Sequence, residues 1–63
     1  MSKPLTNKER EVLECVLKGF SNQEIANELA VSVNTVKTHL RKIFYKNSVS
    51  SRQQLIVKKL SVD

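Results

Sequence analysis

Residues 32–46 read SVNTVKTHLRKIFYK, and the spacing of their apolar side chains decides the fold. At about 100° per residue, Val33, Val36, Leu40, Ile43 and Phe44 fall within one arc of about 100°. Asn34, Thr38, Arg41, Lys42 and Tyr45 gather on the opposite face; Lys37 lies on one flank, and Thr35, His39 and Lys46 on the other. Ser32 suits an N-cap, and no residue inside the stretch breaks a helix. The pattern predicts an amphipathic helix over 33–46, with one side for a core and a cationic side for a partner.

Working outward, the punctuation predicts three more helices. Pro4 cannot lie inside a helix, and Thr6 with Glu9 three residues on forms a capping box. Val12, Leu13, Val16 and Leu17 follow at helical spacing, and Gly19 falls where a left-handed C-terminal cap is wanted. This places a helix over about 7–18. Ser21 and Glu24 make a second capping box, and Ile25, Ala26 and Leu29 form the apolar stripe of a helix over about 22–29. Only Ala30 and Val31 separate it from Ser32, so residues 22–46 read as a helix, a tight turn and a second helix. After a loop at 47–50, Ser51 or Ser50 caps a last helix over about 52–61. Its Ile56, Val57 and Leu60 share an arc and Leu55 points elsewhere, so one apolar set can face the core and the other a second subunit, unless Leu55 fills the edge of the core. No segment alternates as a strand would. The expectation is a single all-α domain over 1–63, a four-helix bundle containing a helix-turn-helix, with residues 1–4 flexible.

Composition narrows the function. A chain of 63 residues is one small domain, and a core of that size supplies only a few kcal/mol, so a deep catalytic cleft is hard to build. The single cysteine, Cys15, allows neither an intrachain disulfide nor a cysteine-based metal site, and it reads as a small core hydrophobe. No apolar run approaches the ~18 residues of a membrane span, and residues 1–20 contain no signal-peptide h-region. A cytoplasmic protein is expected. The formal net charge is +5, unevenly spread. Glu9, Glu11, Glu14, Glu24 and Glu28 offset the bases of residues 1–31. Residues 32–62 hold Lys37, Arg41, Lys42, Lys46, Arg52, Lys58 and Lys59 and no acid. Such one-sided charge points to a polyanion.

A helix-turn-helix can lay its second helix in the major groove of DNA while the first braces it across the backbone. Thr38 and Arg41 stand one turn apart near the centre of the exposed face, with Lys37 adjacent; arginine and lysine can donate to guanine O6 and N7, and threonine can meet a thymine methyl or a polar base edge. Asn34, Thr35, Lys42 and Lys46 are placed for phosphates, as are the free N–H groups near Ser21–Asn22 and Ser32–Val33. The competing chemistry is thin. His39 has no nucleophile or second acid in register, Glu9 and Glu24 are explained by capping, and Glu11 suits the first turn of its helix and can pair with a base of helix 3 or 4. No catalytic set, metal set or phosphate loop can be assembled, and no cofactor or small-molecule ligand is expected. A protein-docking module is the rival reading. A membrane-surface helix is disfavoured because Leu40, Ile43 and Phe44 are needed for the core.

The segment LTNKEREVLECVLKGFSNQEIANELAVSVNTVKTHLRKIFYKNSVSSRQQL resembles the DNA-binding domain of the LuxR/NarL/FixJ family of bacterial transcription regulators. The likeness rests on Leu5-Thr6, Glu9, Glu11-Val12-Leu13, Gly19, Ser21-Asn22, Glu24-Ile25-Ala26 and Leu29. It continues through Ser32, Thr35-Val36-Lys37, His39, Ile43, Lys46, Val49 and Arg52. The resemblance implies a four-helix fold that binds double-stranded DNA as a homodimer on two half-sites, with helix 4 at the dimer interface through Leu55, Val57 and Lys58. It implies base contacts at Lys37, Thr38 and Arg41, and phosphate contacts around Asn22, Ser32, Thr35, His39 and Lys46. In that family a receiver or ligand-sensing domain usually precedes this one, as in response regulators, and RNA polymerase is a further expected partner. Three positions depart from the family's pattern: Asn47 stands where leucine is usual, Leu55 where alanine is common, and Tyr45 is bulky for the DNA-facing side. Asn47 falls on the buried stripe, so it either ends the helix early or needs a partner.

Overall fold

The structure, a computed structural model, describes residues 4–60. The expected flexibility of residues 1–3 and the expected end of the last helix at residue 61 lie outside them. Four helices follow one another: α1 (Asn7–Leu17), α2 (Asn22–Leu29), α3 (Val33–Lys46) and α4 (Arg52–Leu60). No strand occurs among the described residues. The all-α expectation holds, with α1 one residue shorter than predicted because Lys18 is its C-cap.

Local chemistry sets every boundary. The Thr6 hydroxyl accepts from the Glu9 N–H at 3.2 Å while the Glu9 carboxylate accepts from the Thr6 N–H at 3.0 Å. Ser21 and Glu24 repeat the reciprocal pair at 3.2 and 2.7 Å. Ser32 caps α3 by accepting from the Thr35 N–H. At α4 the cap is Ser51, which accepts from the Gln54 N–H, while Gln54 Oε1 accepts from both the backbone and the hydroxyl of Ser50.

Helices α1, α2 and α3 end alike. A residue with positive φ follows each: Gly19 (89°), Ala30 (57°) and Ser48 (56°). Beyond it, the N–H of Phe20, Val31 or Val49 reaches back to the carbonyl of Cys15, Ala26 or Phe44, each at 3.0 Å. This is the Schellman closure, which satisfies carbonyls that a helix end otherwise leaves open. Only the first site holds the glycine that a left-handed backbone favours. Tight closure after α2 makes the three-residue turn Ala30–Val31–Ser32 possible.

Helix α3 packs against both α1 and α2, and α4 lies against α1. Val12, Val16, Ile25, Val36, Ile43 and Leu55 are the largest fully buried side chains, with Leu13, Cys15, Ala26 and Leu40 beside them. Burial raises the Cys15 thiol pKa above its ordinary value, as suits a packing residue. Val33 and Phe44, expected on the buried stripe of α3, pack against the core from its edge.

Helix α4 corrects the sequence reading. Leu55 is 0% exposed and belongs to the core, whereas Val57 is 58% and Leu60 64% exposed. The nine-residue helix has apolar residues on several sides, so periodicity alone does not choose its inner face. Leu55 therefore cannot reach a dimer contact. Asn47 does both things its position demanded. It is the C-cap of α3, and its buried amide Nδ2 donates to the Ile43 carbonyl at 2.9 Å. That bond satisfies a polar group which would otherwise cost about 1–3 kcal/mol to bury.

Candidate nucleic-acid interface

The stripe Val36, Leu40 and Ile43 anchors α3 to the core, and that fixes what the helix shows to solvent. Asn34, Lys37, Thr38, Arg41, Lys42 and Tyr45 are exposed; Thr35, His39 and Lys46 are half-buried along the flank, as the wheel predicts. At about 1.5 Å per residue, the rise from Asn34 to Lys42 is about 12 Å, a length that a major groove admits. Neither Lys37, Arg41 nor Lys42 takes part in an ion pair among the described residues. Their charge is uncompensated on a face where no acidic side chain is near in sequence.

Individual side chains are constrained further. Thr38 Oγ1 donates to the Asn34 carbonyl at 3.1 Å, so its proton is committed within the helix. What remains for a partner is an acceptor oxygen and a methyl group, which suits a thymine methyl or a base amino group. The Ser32 and Thr35 hydroxyls lie 2.9 Å apart at the start of α3. His39 has its Nδ1 buried with no hydrogen-bond partner.

A shallow groove of about 310 Å³ borders this face, lined by Asn22, Lys37, Leu40, Arg41, Phe44 and Arg52. It brings together the start of α2, one flank of α3 and the start of α4. Leu40 and Phe44 are its apolar walls, and three cations and one amide are its polar ones. Asn22 is half-buried, and its Oδ1 accepts from Arg52 Nη1 at 2.7 Å. The second guanidinium nitrogen, Nη2, donates to the Phe20 carbonyl at 2.6 Å. Sequence reasoning assigned Arg52 no part in the site. It starts α4 and lies 30 residues from Asn22, so no local pattern reveals the pair.

Lys46 differs from expectation. Its ammonium donates to Glu9 Oε1 at 2.7 Å and to the Pro4 carbonyl at 3.3 Å, and its side chain is only 18% exposed. The residue ties the end of α3 to the start of α1 and is not a free cation for phosphate. Lys46, the Thr6 N–H and, at longer range, Lys42 hold the Glu9 carboxyl below its ordinary pKa, against the opposing effect of burial. Glu9 is thus both cap and ion-pair partner. Glu11 does not reach helix 3 or 4; it pairs with Lys8 at 3.6 Å on the surface of its own helix. An indirect signal existed: a partly buried base in an acid-free half has to find its acid in the other half.

On the far side, Ser51, Gln53, Gln54, Val57 and Lys58 outline a second shallow groove along α4, of about 420 Å³. Lys58 Nζ donates to the Asn47 carbonyl at 2.5 Å, which brings its charge to the C-terminus of α3, where the helix dipole favours a cation. No helix among the described residues is long and apolar enough to cross a membrane.

The family model for the bacterial regulatory proteins of the luxR family (GerE) matches residues 3–59 of this sequence. That is nearly the whole chain, from before α1 to within one residue of the end of α4, so the chain belongs to this family.

Proposed function

We propose that this luxR-family domain, a DNA-binding module of transcription regulation, reads a specific double-stranded sequence with α3 in the major groove. The observation that carries this reading is the uncompensated cationic face of α3, turned outward because Val36, Leu40 and Ile43 on the opposite side are buried in the core. Lys37, Thr38 and Arg41 read base edges. Asn22, Ser32, Asn34, Thr35, His39 and Lys42 meet the backbone, with His39 using Nε2 because Nδ1 is sealed from solvent. Affinity comes mainly from phosphate contacts and selectivity from the three base readers.

Two copies bind together, each on one half-site, through the exposed side of α4. Val57 and Leu60 are its apolar contacts, and Lys58 stands at the edge. Exposed large apolar side chains on so small a domain favour such a contact. The site of action is the bacterial cytoplasm, where the chromosome lies.

The test is selection from a random duplex pool, followed by salt titration of the selected sequence against a scrambled one. The expected result is an inverted repeat with half-sites about one helical turn apart, bound more tightly than the scramble at every salt concentration. On the selected duplex Arg41→Ala costs about 1–3 kcal/mol and relaxes preference at one base pair. Equal losses on selected and scrambled DNA would refute base reading by Arg41. No enriched motif would refute sequence-specific recognition.

A further inference from the structure

Arg52 sits on the first turn of α4, yet its side chain grips the start of α2. Its two donors fall on either side of Ser21, the N-cap of α2: one on the Phe20 carbonyl at 2.6 Å, the other on Asn22 Oδ1 at 2.7 Å. Both distances are short for N–H···O bonds, as expected when the donor is charged. The guanidinium is half-buried, and with Asn22 it lines the groove that also holds Lys37 and Arg41.

The choice of acceptor on Asn22 has a chemical consequence. A carboxamide carries its oxygen and its NH₂ on opposite sides of one carbon. With Oδ1 engaged by Arg52, the NH₂ is the end left for another partner. A phosphate oxygen accepts hydrogen bonds and repels lone pairs, so an amide turned the other way would oppose it. Arg52 selects the useful orientation. It also clamps the first turn of α2, whose open N–H groups favour an anion.

We propose that Arg52 is a positioning residue for DNA binding, acting through Asn22 by fixing the side-chain amide with its NH₂ toward a backbone phosphate. This rests on the DNA-binding reading above. Two rival roles make different predictions. A purely structural staple would lower stability without changing the affinity of the folded protein. A direct phosphate ligand would release a counterion and contribute to the salt dependence of binding, which the neutral Asn22 amide does not.

The experiment measures binding of the 63-residue chain to the selected duplex by fluorescence anisotropy over a salt series, at a temperature where circular dichroism shows every variant folded. Arg52→Gln and Asn22→Ala are each expected to weaken binding about tenfold. The double variant is expected to be no weaker than the worse single one. Arg52→Lys, which keeps one donor, recovers part of the loss. The logarithmic salt slope of Arg52→Gln is expected to match the parent's. A slope smaller in magnitude by about 0.9 would make Arg52 a phosphate ligand and overturn the proposal. Unchanged affinity, or additive losses in the double variant, would also overturn it.

Asn22→Asp provides a variant that does not depend on surviving the loss of Arg52. It retains the acceptor, strengthens the pair with Arg52, and replaces the NH₂ by a carboxylate oxygen. It is expected to keep its melting temperature and to lose more than about tenfold in affinity. Gln23→Glu, with the same charge change one residue away, is expected to lose distinctly less. Equal losses from the two would refute the proposal. A parent chain that binds no duplex would instead refute the DNA reading itself.

Discussion

Replacing Lys46 by methionine tests the most consequential tertiary contact of this fold. The substitution keeps the aliphatic stem and deletes the ammonium that lies 2.7 Å from Glu9 Oε1 and 3.3 Å from the Pro4 carbonyl. Glu9 is 2% exposed, and after the change only the Thr6 N–H, at 3.0 Å, still meets its charge. Removing one partner of a buried pair costs about 3–5 kcal/mol. The walls of so small a domain are thin and water can relax around the carboxylate, so about 2–3 kcal/mol is the expected loss. At ~0.05–0.15 kcal/mol per residue, 63 residues give a total stability of roughly 3–9 kcal/mol, so the loss is a large fraction of the whole. With a urea slope near 1 kcal/mol per molar, the midpoint falls by about 2–3 M.

The pH dependence gives the diagnostic. In the parent, Lys46 and the Thr6 N–H hold the Glu9 carboxyl below its reference value of 4.5. Its contribution is therefore fully present above that value and is lost as pH falls through the lower folded pKa. In Lys46→Met the buried carboxyl has lost its strongest partner, while the Thr6 N–H and the more distant Lys42 still oppose the effect of burial, so its folded pKa is expected to rise from the parent's toward the reference 4.5. The variant's deficit is then fully present at pH 7 and shrinks as the solution is acidified below about 4.5, toward about pH 3. Adding Glu9→Gln to Lys46→Met removes the stranded charge, keeps an acceptor for Thr6, and recovers part of the loss at neutral pH. Urea unfolding followed by circular dichroism at both pH values measures all of this. A loss below about 0.5 kcal/mol that does not vary with pH would refute the reasoning and class the contact with ordinary surface ion pairs.

Two further outcomes follow from burial and backbone geometry. Leu55→Ala removes a fully buried side chain and is expected to cost about 2–5 kcal/mol, whereas Val57→Ala leaves unfolding of the monomer within about 0.5 kcal/mol and weakens self-association on the selected duplex. Denaturant melts and sedimentation velocity separate the two effects, and a destabilised but normally associating Val57→Ala would contradict the assignment. Ala30→Gly relieves a left-handed backbone with φ 57° at the end of α2. Against the entropy that glycine adds to the unfolded chain, the net expectation is a gain of about 0.5–1 kcal/mol, read as a higher melting temperature; a lower one would contradict it.

These contrasts show where sequence reasoning holds. The capping pairs Thr6–Glu9 and Ser21–Glu24 span three residues, and the stripe of α3 repeats at helical spacing, so both are legible in a linear string. The outward face of α3 follows once its inner stripe is known, which is why Lys37, Thr38 and Arg41 could be placed without coordinates. In α4 the same method left the inner face open, and the expected dimer contact at Leu55 does not hold, because that side chain is in the core. Ile56, Val57 and Leu60 make a good stripe on a wheel, but packing of α4 on α1 buries Leu55, leaves Ile56 at the core edge and exposes Val57 and Leu60.

What the sequence by itself determined is the set of helices, their caps, the tight turn between α2 and α3, and the cationic face, because each depends on residues within about one helical turn of one another. Only the tertiary structure decided the inner face of α4, the burial of Lys46 against Glu9 and the grip of Arg52 on Phe20 and Asn22. Those partners lie 30 to 37 residues apart in the chain. They meet because close packing of four short helices leaves one arrangement in which the apolar stripes are covered, and side chains at the helix ends take whichever partners that arrangement brings within reach.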